Sequence, residues 1–76
     1  MNRELGIAYP NRTTGDWWQI VEWPMHIRGQ QDPVLGYAVR RGRSAEGPWE
    51  PPRLELRARE HAEQILEQLL TQAPVD

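Results

Sequence analysis

The side chains that could do chemistry in this 76-residue chain are two histidines, a short run of arginines and four tryptophans. His26 and His61 stand far apart in sequence, and neither has an acidic neighbour at a recognisable spacing. No carboxylate-oriented general base and no histidine pair at metal-ligand spacing is therefore in view. Cysteine is absent, which removes disulfides, thiolate metal sites and cysteine nucleophiles together. The stretch Gly42-Arg43-Ser44-Ala45-Glu46-Gly47 is glycine-rich, but it lacks the lysine and the following helix of a phosphate-binding loop. Asn11-Arg12-Thr13 matches a glycosylation triplet by chance. These residues point to a non-enzymatic protein, with no catalytic residue, cofactor or metal site.

What remains is binding chemistry. Arg40-Arg41-Gly42-Arg43 is the strongest local charge feature; it suits contact with phosphates or with an acidic protein surface, and equally a solvated strand end that discourages stray pairing. All nine basic residues are arginine, so every side-chain cation is a planar guanidinium able to fork onto a carboxylate or stack on an aromatic ring. Lysine-free usage also points to a GC-rich bacterial, phage or plasmid gene. Tryptophan is the favoured anchor of binding surfaces, and it also fills the core of a tiny domain with few residues. Trp49 lies among prolines in Gly47-Pro48-Trp49-Glu50-Pro51-Pro52, where it either presents itself to a partner or folds back as a lid over the sheet edge.

Charge sets limits on partners. Residues 28–59 carry seven arginines against four acids, a local +3, whereas residues 60–76 carry a local −4. The net charge of −2 is too small to steer the whole molecule towards nucleic acid. A chain of this length makes one small domain with a thin stability margin. No apolar stretch reaches the roughly 18 residues of a membrane span, and the start lacks a signal-peptide pattern, so a soluble, cytoplasmic protein is expected.

Several elements must position these groups. Leu5, Ile7 and Tyr9 alternate as a short strand, and Pro10 to Gly15 is a turn cluster. Residues 16–23 (DWWQIVEW) read as the clearest strand, ending where Pro24 cannot donate to a ladder. Its faces are Trp17, Gln19, Val21, Trp23 and Asp16, Trp18, Ile20, Glu22; neither alternation is clean, so whichever of Trp17 and Trp18 points away from the helix becomes the residue to watch. Residues 34–41 form a second strand with Leu35, Tyr37 and Val39 on one face. Residues 53–57 form a third, and from Ala58 the apolar positions Ala58, Ala62, Ile65, Leu66 and Leu69 repeat at helical spacing. A rival pattern starts the helix at Pro52.

The predicted fold is α+β: a three-stranded antiparallel sheet, four-stranded if the N-terminal segment joins it, with one C-terminal amphipathic helix packed on one face. Residues 1–15 supply the N-terminal strand and turn, 16–57 the sheet, 58–72 the helix and 73–76 a loose tail. From residue 16 to 70 this order resembles the sheet-plus-helix arm-binding modules of phage tyrosine integrases, in which the closing strand also runs into a helix with an Arg-acid-x-Ala start, matched here by Arg59, Glu60 and Ala62. It also resembles small phage and plasmid proteins that include anti-CRISPR inhibitors. Ala58 departs from the integrase pattern by standing where a capping threonine is usual. The resemblance is architectural, and no functional residue is carried over.

One helix covers one side of a sheet. The other side is then free for another macromolecule, and the expected function is a small protein-binding inhibitor or adaptor of phage or mobile-element type. It would act through the uncovered face and the 42–52 loop, with Trp18, Trp49, Arg40, Arg41 and Arg43 as contact residues. The alternative is a nucleic-acid-binding module that uses the same arginines and tryptophans on DNA or RNA. Self-association as a homodimer, through an edge strand or the helix, is a third expectation for so small a core.

Overall fold

A computed structural model describes residues 4–52 and 54–72; the predicted loose tail at 73–76 and the first residue of the predicted third strand lie outside the described residues. The elements in chain order are β1 (Tyr9–Pro10), β2 (Trp17–Met25), β3 (Val34–Gly42), β4 (Glu55–Leu56) and α1 (Arg59–Thr71). The strands form one antiparallel sheet in the order β1-β2-β3-β4. The fold is thus a small α+β arrangement in its four-stranded form, and the pairing of Glu55–Leu56 with Tyr37–Ala38 rules out a single helix running from Pro52.

The register fixes what faces the helix. Trp18, Ile20 and Glu22 stand opposite Arg41, Val39 and Tyr37, with Tyr9 beside Trp18 and Leu56 beside Tyr37. Residues directly opposite in a ladder share a face, so these side chains all point to one side. There Ile20, Val39 and Leu56 meet Ala62 and Leu66 of α1 in the buried core, with Trp18, Tyr37, Ile65, Leu69 and Leu70 packed around it. The apolar stripe read from the sequence is the one that is buried, except that Ala58 is exposed and serves as the N-cap.

Three predicted elements shift by more than one residue at an end. The N-terminal strand expected at Leu5 to Tyr9 shortens to Tyr9–Pro10, because the chain turns at Leu5-Gly6, where Gly6 adopts φ 79° and donates its N–H to the Ile20 carbonyl at 2.7 Å. At the other end of the sheet β4 is only two residues long. Strand β2 continues through Pro24 to Met25 rather than stopping before it. The reason lies in the phase of the ladder. Since the Ile20 carbonyl bonds outwards to Gly6, the backbone groups of Trp18, Ile20, Glu22 and Pro24 all point away from β3. The N–H that proline lacks would face the outer edge, where the described residues provide no strand partner, so no β2–β3 bond is lost and the edge is protected from stray pairing.

The helix is shorter than the ribbon beneath it. Its thirteen residues span about 20 Å, beginning next to β4 at the level of Tyr37 and ending beside Asn11, whose side chain bonds the Leu69 and Gln72 carbonyls. Tyr37 to Gly42 covers about 17 Å of that length. The β2–β3 hairpin from Glu22 to Leu35 therefore projects past the helix, which leaves Leu35 60% exposed and gives the molecule its elongated extents of 43 × 25 × 25 Å.

The N-terminus of α1 offers a stability test. Ala58 has the extended backbone of an N-cap (φ −102°, ψ 128°) but no side-chain cap. Ala58→Ser is expected to raise stability by about 1 kcal/mol, because a hydroxyl there can accept from one of the unbonded first-turn N–H groups. Chemical denaturation of the two proteins measures it; an unchanged midpoint would show that this end is not limited by its cap.

Candidate binding surface

The side of the sheet away from α1 is built by the alternate residues of the same strands. From β2 come Trp17, Gln19, Val21, Trp23 and Met25; opposite them on β3 stand Gly42, Arg40, Ala38, Gly36 and Val34. One strand is large and the other mostly small. That contrast lets side chains from the flanking strands lie flat across β3. Trp23 of β2 donates its indole N–H to Glu55 Oε1 of β4 at 3.1 Å, a bond that has to cross β3 over Gly36 and Ala38.

Met25 lies over Gly36: a Cβ there would stand 2.1 Å from its sulfur. Trp49 lies over Gly42, where a Cβ would come within 2.6 Å of two ring carbons. The 42–52 loop brings it there through a Gly42 to Trp49 bridge and a 2.8 Å hydrogen bond from the Glu50 N–H to the Arg41 carbonyl. Trp49 thus folds back over the sheet edge and keeps a partly exposed face.

The polar residues on this side are held rigidly. Gln19, only 5% exposed, accepts from Arg40 Nε with its Oε1 and donates from Nε2 to the Gly6 carbonyl at 3.2 Å. The Arg40 guanidinium in turn sits 5.3 Å from the centroid of the Trp49 ring, within cation–π range. The result is a firm, mainly aromatic platform in which Trp17, Val21, Trp23, Met25 and Val34 all remain partly exposed, with no helix or strand laid over them among the described residues.

Of the five residues expected to make contact, Arg40 and Trp49 lie on this side and the other three do not. Trp18 is on the helix side, half-buried against the core, so Trp17 rather than Trp18 faces away from α1. Ile20 must be inside, and Trp18, two residues away, shares its side. Arg40 and Arg41 are neighbours in a strand and so point to opposite faces. Arg41 forms an ion pair with Asp16 at 3.0 Å and approaches Glu50 at 3.9 Å. Arg43 is exposed in the bend after β3. The arginine run consequently does not concentrate its charge on one surface.

His26 and His61 are both exposed, and among the described residues no group of His, Asp or Glu is arranged to hold a metal ion. Asn11 of the glycosylation triplet is 2% exposed and fully engaged at both ends of its amide. Among the described residues no helix is long and apolar enough to cross a membrane. Comparison with protein-family models, with curated proteins and with solved structures finds no match.

Proposed function

We propose that this chain is a non-enzymatic module that binds another protein through the sheet face opposite α1, with Trp17 and Trp23 as its anchors and the Trp49 loop at its edge. The observation that carries this reading is the platform itself: two partly exposed tryptophans with Val21, Met25 and Val34 on a surface stiffened by the Gln19–Arg40–Trp49 chain and by the Trp23–Glu55 bond. Aromatic side chains already held in place lose little entropy on binding, which is why tryptophan dominates binding energy at interfaces. The division of Arg40 and Arg41 between two faces favours a protein partner over a phosphate backbone, for which several cations on one surface are needed. An inhibitor or adaptor role fits such a surface, and the lysine-free composition supports a bacterial, phage or plasmid origin.

The test is affinity capture from a GC-rich bacterial lysate with wild type, Trp23→Ala and Trp17→Ala, followed by affinity measurement on the captured protein. Each substitution at an anchor is expected to weaken binding by about 30-fold, equivalent to roughly 2 kcal/mol, while Gln64→Ala on the far side of α1 leaves it unchanged. A partner retained equally by all variants would move the interface elsewhere. Gel shifts with DNA and RNA at low salt complete the comparison, and a salt-sensitive shift would favour the nucleic-acid alternative.

A further inference from the structure

The guanidinium of Arg40 is fixed from two directions and open in a third. Its Nε donates to Oε1 of the buried Gln19, and its Cζ stands over the Trp49 ring. The terminal Nη groups have no hydrogen-bond partner among the described residues and are accessible to solvent. The charge is unanswered too. Arg41 pairs with Asp16, and Arg59 with Glu63, but among the described residues no carboxylate lies within ion-pair distance of Arg40. Glu55 shares the outer side of the sheet, opposite Ala38, and gives its Oε1 to the Trp23 indole instead. Arg12, Arg28, Arg43 and Arg57 are exposed, where water serves a cation well; Arg40 is partly buried among aromatic and aliphatic side chains. A charge in that setting gains more from a counter-charge than one in open solvent does.

We infer, building on the platform as the docking surface, that Arg40 is its point of polar recognition and that the partner protein sets an aspartate or glutamate carboxylate against the Nη groups. Apolar residues on either side of that acid would lie on Trp17, Trp23 and the Trp49 edge. A planar guanidinium offers parallel N–H groups that match the two oxygens of a carboxylate, and here the fork is held in place before the partner arrives. With Nε taken by Gln19, the carboxylate must approach end-on, at the Nη edge. A protein acid fits better than a nucleic-acid phosphate. Along β2 and β3 the outer side carries Arg40 as its one cation, whereas a phosphate backbone is held by several, and Glu55 on the same side would repel it.

Random dodecapeptides displayed on phage and selected on the immobilised full chain are the probes. Peptides that wild type retains and Trp23→Ala loses are expected to carry an Asp or Glu beside apolar residues. Each is then titrated alongside its twin with Gln for Glu or Asn for Asp. The amide twin should bind wild type at least about tenfold more weakly, as loss of a charge-assisted hydrogen bond does, and should bind Arg40→Gln within about twofold of the acid. Arg41→Gln, on the other face, should keep the full discrimination. A second readout uses wild type alone: the acidic peptide should shift the ¹⁵N resonance of Arg40 Nε, and the amide twin should not. Platform-dependent peptides without an acid, equal discrimination by Arg40→Gln, or an unmoved Arg40 resonance would overturn the carboxylate assignment and leave the platform standing. Peptides held equally by Trp23→Ala, or no enrichment on wild type, would bring down both. Arg40-dependent displacement of the peptides by single-stranded DNA at low salt would replace the carboxylate with a phosphate.

Discussion

Replacing Asn11 by Asp is expected to destabilise the fold by on the order of 3 kcal/mol, although the two side chains are nearly isosteric. The Asn11 amide joins the N-terminal turn to the far end of the helix. Its Nδ2 donates to the Leu69 carbonyl at 2.7 Å and to the Gln72 carbonyl at 2.9 Å, while its Oδ1 accepts from the Thr13 and Thr14 N–H groups at 2.9 and 3.2 Å. The last carbonyls of a helix have no partner within it, and α1 has neither a terminal glycine nor a basic residue in its last turn to answer them. Thr71 bonds back to the Glu67 carbonyl; Asn11 takes Leu69 and Gln72. A carboxylate would keep the two turn bonds but lose both donors and set a buried negative charge against two carbonyl oxygens.

Asn11→Ala is expected to cost about 2–4 kcal/mol by a different route, leaving four backbone groups without their side-chain partner at roughly 0.5–1.5 kcal/mol each, with incomplete additivity. Acid separates the two mechanisms. At pH 3.5 the introduced carboxyl holds a proton, can donate again to one carbonyl, and recovers part of its loss; the penalty grows as pH rises past about 4, where the unfolded chain ionises, and is complete only once the folded carboxyl, raised by burial against two carbonyl oxygens, has ionised too. The alanine variant has no such group, so its deficit relative to wild type should stay flat across the same range. Urea unfolding of the three proteins at pH 3.5 and pH 7 measures both effects. If each variant stays within about 0.5 kcal/mol of wild type, as surface substitutions do, Asn11 does not anchor the helix end.

How far sequence could lead to this arrangement depended on the reach of each interaction. Helix α1 was legible because its signal is local: the spacing of Ala62, Ile65, Leu66 and Leu69 carries the period, and those residues are the ones packed on the sheet. Strand β3 was legible for the same reason, with Tyr37 and Val39 on one side and Gly36 and Ala38 on the other. Strand β2 was not. Its two faces each hold one or two tryptophans, a β-branched residue and polar residues, so composition alone cannot choose between them, and a shift of one residue exchanges every side chain. The choice is made by the non-local register that sets Ile20 opposite Val39; it turns Trp17 outwards and Trp18 inwards.

The division of Arg40 and Arg41 follows from alternation within a strand, which parts between two faces a run of charge that is continuous in sequence. Gln19 did carry a signal, a polar residue between Trp18 and Ile20, although its two partners, Gly6 and Arg40, come from other parts of the chain. Asn11 carried none: its carbonyl partners are about sixty residues away. The platform is therefore a product of pairing more than of motif. Small residues on β3 become meaningful only when β2 and the Trp49 segment are placed beside them.

Leu66→Ala is expected to remove about 3–5 kcal/mol and leave the chain largely unfolded at 37 °C. Leu66 is fully buried, in the cluster formed by Ile20, Val39, Leu56 and Ala62. Truncating a core leucine loses the transfer free energy of the deleted groups and leaves a cavity that the surroundings fill only in part, for a typical total of about 2–5 kcal/mol. The upper part of that range applies here because Leu66 sits in the one buried cluster between the single helix and the sheet, and among the described residues no second layer can shift in to close the gap. At roughly 0.05–0.15 kcal/mol per residue, a domain of this length has about 4–11 kcal/mol in total, so the loss takes a large share of it. Leu35→Ala is the matched control: Leu35 is 60% exposed on the projecting hairpin, and its truncation is expected to move stability by less than about 0.5 kcal/mol. Thermal unfolding followed by circular dichroism, together with amide exchange, distinguishes the outcomes. If the sheet and helix form one cooperative unit, Leu66→Ala accelerates exchange in β2 and β3 as much as in α1. Protection that survives in β2 and β3 while α1 exchanges freely would show that the ribbon stands without its helix, and that the aromatic platform owes its rigidity to the bonds on its own face.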